Sequence, residues 1–174
     1  AATAGAVVHV LAAGSEVADI DEVNALADQV LAEITDDSMT PKERLRAIYD
    51  WIQDTMHYEG DSQEEDVVLA AYTGFTEHTG NCFTYMAQAK FLLTQAGIDN
   101  LVITKVVPEG RTDISTHYWN IVNIGEGWYH YDCTPRRNRR DFFYITDAEL
   151  KEYSDQHAVY GTHVYDPSLY PKIE

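Results

Sequence analysis

The chain has 174 residues, 45% of them hydrophobic and 24% charged, the balance of a globular domain that can bury about two-thirds of its unfolded surface without a metal or disulfide. Twelve Lys and Arg against 29 Asp and Glu leave a formal charge of -17. That balance argues against binding a nucleic-acid backbone or an anionic lipid surface, since both recruit basic side chains. No stretch approaches the roughly twenty apolar residues that span a bilayer, and two cysteines, Cys82 and Cys133, are too few for a disulfide framework.

Residues 1–16, rich in Ala, Gly and Val, carry no capping signal and no period. They read as a linker or lead-in, with a first strand around Val7–Leu11 as the alternative. Residues 17–174 read as one domain. From Val17 to Ile34 the apolar residues fall at Ile20, Val23, Leu26, Ala27, Val30, Leu31 and Ile34, the spacing of an amphipathic helix. Thr40-Pro41-Lys42-Glu43 combines an N-cap, proline at the first helical position and a capping-box glutamate. The helix it opens carries Leu45, Ile48, Tyr49, Ile52 and Met56 on one face. After the acidic segment Glu59–Asp66, Val67–Tyr72 reads as a short helix ended by Gly74. Gly80-Asn81-Cys82 opens a helix over Phe83–Ala96, with Gly97 at its C-cap. The period then changes. Leu101–Val107, Thr116–Ile124 and Trp128–Cys133 are rich in β-branched and aromatic residues, and Gly125-Glu126-Gly127 between the last two predicts a hairpin. Phe142–Ile145 reads as a further strand. Thr146-Asp147-Ala148-Glu149 is a second capping box opening a short helix, and the tail after Gly161 reads as ordered coil. Helices first and strands later place the chain in the α+β class.

Three residues carry candidate chemistry. Cys82 lies in the first turn of its helix, where unpaired backbone N–H groups and the positive end of the dipole favour the thiolate; the competing reading is a small buried apolar side chain. Strand alternation puts His117, Trp119 and Ile121 on one face. Asp132 ends the neighbouring strand, and a carboxylate at the end of an aromatic strand requires a partner, because an unpaired buried charge is costly. The hairpin brings the strand of His117 alongside. Cys82, His117 and Asp132 thus supply a nucleophile, a base and an orienting carboxylate, the set that nucleophilic acyl transfer needs. Alternation points Cys133 away from Asp132, so a buried thiol is expected there and a Cys82–Cys133 bridge is not. A metal set of His117, His130 and Asp132 has no recognised ligand spacing, and no metal or cofactor is expected. Arg136, Arg137, Arg139 and Arg140 form the only basic cluster. It reads either as a rim for a carboxylate or other anion near Asp132, or as a solvated loop paired with acids such as Asp141.

In this light the sequence resembles the transglutaminase-like superfamily of papain-type cysteine enzymes, in particular its small bacterial members. Tyr49-Asp50-Trp51-Ile52 with Tyr58 is similar to the family's upstream segment. Gly80-Asn81-Cys82 with Tyr85, Ala89, Leu92-Leu93 and Gly97-Ile98 resembles its nucleophile helix. His117-Tyr118-Trp119-Asn120 resembles its His motif, and Gly127-Trp128-Tyr129-His130-Tyr131-Asp132-Cys133-Thr134-Pro135 its Asp motif. The resemblance implies a papain-like α+β core with the nucleophile helix packed on an antiparallel sheet. It implies Cys82 as nucleophile, His117 as general base and acid, and Asp132 as orienter, with Tyr58 a candidate oxyanion donor and Trp119 and Arg136 candidate substrate contacts. The implied activity is acyl transfer from protein or peptide amides, cell-wall peptide among them, through a thioester. Hydrolysis is favoured over cross-linking by an amine; an inactive binding or scaffold module on the cell surface is the alternative. The start at Ala1, the lead-in and the resemblance together lead us to expect an exported or surface-attached bacterial protein, with a cytoplasmic enzyme as the other reading.

Overall fold

The computed structural model describes residues 19–61, 65–136, 140–157 and 161–174. The lead-in at residues 1–16, with its alternative strand, lies outside them, as do Arg137 and Arg139. The elements are α1 (Ile20–Ile34), α2 (Pro41–Thr55), β1 (His57–Tyr58), α3 (Val67–Glu77), β2 (Thr79–Gly80), α4 (Cys82–Gln95), β3 (Asp99–Thr104), β4 (Tyr118–Asn123), β5 (Trp128–Tyr131), α5 (Asp147–His157) and a 3-10 turn, Pro167–Leu169. The architecture is α+β, with the helices ahead of an antiparallel β3-β4-β5 meander.

Helix α4 is the centre of the fold. Its Cys82–Ala89 and Phe91–Leu93 stretches are buried on every side, the mark of a helix enclosed by partners rather than amphipathic. It packs against α1, α2 and α3 and against β3 and β4. The sheet separates two cores. Tyr118, Val122 and Tyr131 face α4 and join the main core with Leu45, Ile48, Ile52 and Leu92. Trp119 and Ile121, on the opposite face of β4, pack with Ile103, Phe142, Leu150 and Ile173.

Local chemistry explains most of the element ends. The Thr40 hydroxyl accepts from the Glu43 N–H, and the Glu43 carboxylate accepts from the Thr40 N–H at 2.7 Å, so the capping box forms as its sequence requires. Thr146 and Glu149 repeat it ahead of α5. Two expectations need correction. Gly74 does not end α3, which runs on to Glu77 and stops at the left-handed His78. A Cβ at Gly74 would stand 3.2 Å from Thr84 Cγ2, so this glycine serves the close approach of α3 to α4. Phe142–Ile145 forms no strand: Ile145 makes an isolated bridge to His130 and the Phe142 carbonyl accepts from the Asp132 N–H, but Tyr144 between them, at φ 54°, breaks the run. No helix among the described residues is long and apolar enough to cross a membrane.

Thr40→Ala is expected to lower stability by about 1 kcal/mol, read as a lower urea midpoint with unchanged slope.

Candidate active site

Three chain segments meet at one end of the β4–β5 hairpin. His117 immediately precedes β4 and Asp132 immediately follows β5, and the Asn120–Tyr131 pairing sets them side by side. The start of α4 arrives at the same end, with Phe83 edge-on to Tyr118 at 4.9 Å between centroids.

The start of α4 is tightly specified. Asn81 is its N-cap: Oδ1 accepts from the Phe83 N–H at 2.8 Å, and Nδ2 donates to the Asp61 carbonyl and to Glu65 Oε1 at 2.7 Å. Gly80 before it must be a glycine, since a Cβ there would collide with the Thr84 side chain. Cys82 is therefore fixed in the first turn of α4, and its side chain is fully buried. Its thiol hydrogen-bonds the His117 imidazole.

His117 turns Nε2 to Asp132, donating to Oδ2 at 2.7 Å. The carboxylate is buried, 1% exposed, and it is held by more than His117. Oδ1 accepts from the Thr134 N–H at 2.9 Å. Oδ2 also accepts from Arg136 Nη2 at 2.7 Å and from His163 Nε2 at 2.9 Å. Burial opposes the Asp132 charge, but His117, Arg136 and His163 outweigh it and hold the carboxyl well below the usual range. Burial likewise opposes charge on His117. The Asp132 carboxylate, with help from the Cys82 hydrogen bond, overcomes it, and the His117 pKa is raised despite the opposing Arg136.

His163 is the residue that sequence reading missed. It lies in the tail, far from any motif. Its backbone N–H donates to Ser154 Oγ of α5 at 3.0 Å, and the next residue, Val164, accepts from the Val106 N–H. Its ring stacks on Phe142 and stands edge-on to His117 and Trp119, each 5.0 Å between centroids. With Nδ1 facing the Thr162 hydroxyl at 2.7 Å, the hydroxyl donates and Nε2 carries the proton given to Asp132. Burial pushes its pKa down to about 3, so it is a neutral donor at any ordinary pH.

The other candidates fall into place around this centre. Tyr58 sits beside Gly80 in the parallel β1–β2 pair, stacks on Tyr85 and lines the same cavity as His117. Trp119 is fully buried and presents no face to a substrate. It forms a floor under the His117 ring, 5.6 Å between centroids, and donates from Nε1 to His130 at 3.1 Å. His130 thus turns toward Trp119 and Asp147 and away from Asp132. The side chains whose ligand atoms do converge are His117, Asp132 and His163, all within 4.8 Å of one another. Arg136 Nη2 stands 2.7–3.0 Å from the same three atoms, so a guanidinium holds the position a cation would take. Cys133 is buried with a raised pKa, on the main-core side of the sheet, and neither cysteine is in a disulfide. Asp141, an expected partner of the arginine cluster, pairs with Arg46 at 2.6 Å.

A profile of the Transglutaminase-like superfamily matches residues 28–133, more than half of the chain. No curated protein matches. Among solved structures, a protein from Cytophaga hutchinsonii described provisionally as a cysteine protease aligns at 22% identity and a TM-score of 0.49, covering 66% of this chain and 37% of that one. A TGase aligns at 13% identity and 0.47, covering 70% and 33%. The periplasmic domain of TgpA from Pseudomonas aeruginosa, bound to ethylmercury, aligns at 20% identity and 0.46, covering 66% and 44%. The chain thus spans less than half the length of each.

The pKa directions fix a pH window. A raised His117 pKa stabilises the fold fully below its unfolded value of about 6.5, and that contribution is lost as pH rises through the folded value. A depressed Asp132 pKa stabilises above about 3.9 and is lost as pH falls through its folded value. Asp132→Asn is therefore expected to cost about 3–5 kcal/mol near pH 5.5 and less at pH 9, by urea unfolding at both. Imidazole NMR is expected to show His163 untitrated down to about pH 4 while His117 titrates above the usual histidine value.

Proposed function

The chain belongs to the transglutaminase-like superfamily, and from that membership and the site geometry we propose that it is a cysteine-dependent acyl-transfer enzyme acting on protein or peptide amides. The observation that carries the reading is the contact of the Cys82 thiol with His117, a ring whose Nε2 is bonded to a buried, multiply held carboxylate.

In this mechanism His117 takes the thiol proton as Cys82 Sγ attacks the amide carbonyl carbon. Asp132 keeps the His117 Nε2 proton in place, so the free nitrogen faces the thiol, and it stabilises the imidazolium that forms. The tetrahedral oxygen lies near the Cys82 backbone N–H at the start of α4, with the Tyr58 hydroxyl as a second donor. Collapse breaks the C–N bond, and His117 returns its proton to the departing amine. The product is a thioester on Cys82. His117 then deprotonates a water, whose attack releases the acid and restores the thiol. An amine acceptor in place of water gives transamidation by the same steps. We favour water, on the family resemblance, with cell-wall peptide among the substrates and a surface or exported setting for the reaction.

Cys82 has no exposed surface, so substrate reaches the sulfur only when the side chains above it move. An alkylating reagent must use the same opening. Cys82→Ala is expected to abolish amide turnover with the thermal midpoint nearly unchanged; equal turnover by both proteins would remove the mechanism. Iodoacetamide labelling of Cys82 is expected to proceed below pH 8, where an ordinary thiol is protonated, and to lose that low-pH reactivity in His117→Ala.

A further inference from the structure

The cavity beside His117 differs from the rest of the molecule in its charge. It has a volume of about 570 Å³, and Lys105 and Arg136 both line it. No carboxylate does, among the described residues, although the chain as a whole carries a charge of -17. The remaining wall is rich in hydroxyls: Ser115, Thr116, Thr134 and Thr162.

Two of these groups are incompletely satisfied. Thr134 Oγ1 and Arg136 Nε are buried and have no hydrogen-bond partner among the described residues. Both can donate, and an unpaired buried donor carries a desolvation cost that a bound acceptor would remove. Lys105 is 9% exposed, and burial together with the nearby Arg136 lowers its pKa. An anion between the two cations would relieve both effects. Lys105 is also fixed to the catalytic end of the sheet, because its backbone N–H donates to the His117 carbonyl at 2.8 Å. A group bound here therefore lies next to the reacting imidazole.

We propose that this cavity is a carboxylate-binding subsite, so that the preferred substrate carries a carboxylate close to the amide that is cleaved. The proposal rests on the acyl-transfer reading above for its use in catalysis, but the pocket binds whether or not the enzyme turns over. A carboxylate fits this lining: Lys105 and Arg136 supply positive charge, and the hydroxyls of the wall supply further donors. Two sources present this group, an acidic side chain within a peptide and the free carboxylate at a chain end.

Three probes of nearly equal size separate them: acetyl-glutamate amide (side-chain carboxylate only), acetyl-glutamine (terminal carboxylate only) and acetyl-glutamine amide (neither). Each is titrated into the wild-type protein and followed by amide chemical shifts of Ser115, Thr116 and Thr134. At least one carboxylate probe is expected to bind five-fold or more tightly than the neutral one. The tighter of the two identifies the source. Lys105→Gln is expected to erase the difference and Lys105→Arg to keep it, with thermal melts confirming that both fold. Equal binding of all three probes to wild type overturns the subsite, as does a preference that survives in Lys105→Gln. Amide turnover is measured separately. Carboxylate-selective binding without turnover would remove the reaction and keep the subsite; turnover with no carboxylate preference would do the reverse.

Discussion

The structure is organised around one buried negative charge. Asp132 is 1% exposed, and a carboxylate in that position is tolerated only if its lone pairs are filled and its charge is matched. Four N–H groups do this, from Thr134, His117, Arg136 and His163. They come from the loop after β5, the residue before β4 and the C-terminal tail. Satisfying this one group therefore ties together segments that are distant in sequence. The result is an imidazole whose orientation is fixed at Nε2 and which also meets the Cys82 thiol.

The donors also divide the work electrostatically. His163 is neutral, so it adds a hydrogen bond to Asp132 without adding positive charge beside His117. Arg136 is a cation and opposes protonation of His117 while stabilising Asp132. The balance leaves His117 easier to protonate than an ordinary buried histidine, because the carboxylate outweighs both burial and the guanidinium. A general base needs a proton affinity that is neither lost to burial nor pinned by an ion pair. Arg136 has a second face as well, toward the cavity, where it joins Lys105. The same guanidinium thus connects the stabilised carboxylate to the wall of that cavity.

Much of this was legible before the fold was known. The capping boxes at Thr40 and Thr146 formed as written because they depend on residues three apart. The hairpin, the placement of Cys82 at the start of α4, and the adjacency of His117 and Asp132 follow from period, turn glycines and short spacing. Errors arose where local signals met tertiary packing. Gly74 carries the signal of a helix end, yet it is a contact glycine under Thr84. Trp119 was expected at the substrate and lies fully buried under His117, because the second core closes over that face of β4. His130, whose metal set with His117 and Asp132 the sequence already disfavoured, turns its ring to Trp119 and Asp147.

What the sequence determined by itself is what short-range chemistry encodes: helix starts, strand alternation, the hairpin, and a thiol, an imidazole and a carboxylate in an order that reads as acyl transfer. The tertiary structure alone decided that His163 completes the shell of Asp132, that Arg136 stands where three ligand atoms converge, and that Lys105 joins it across a cavity free of acids among the described residues. The physical reason is range. A cap or a turn is settled by neighbours within a few residues. The fourth donor to a buried carboxylate lies 31 positions away, and only the packing of the tail against α5 and the strand β3 continues brings it there.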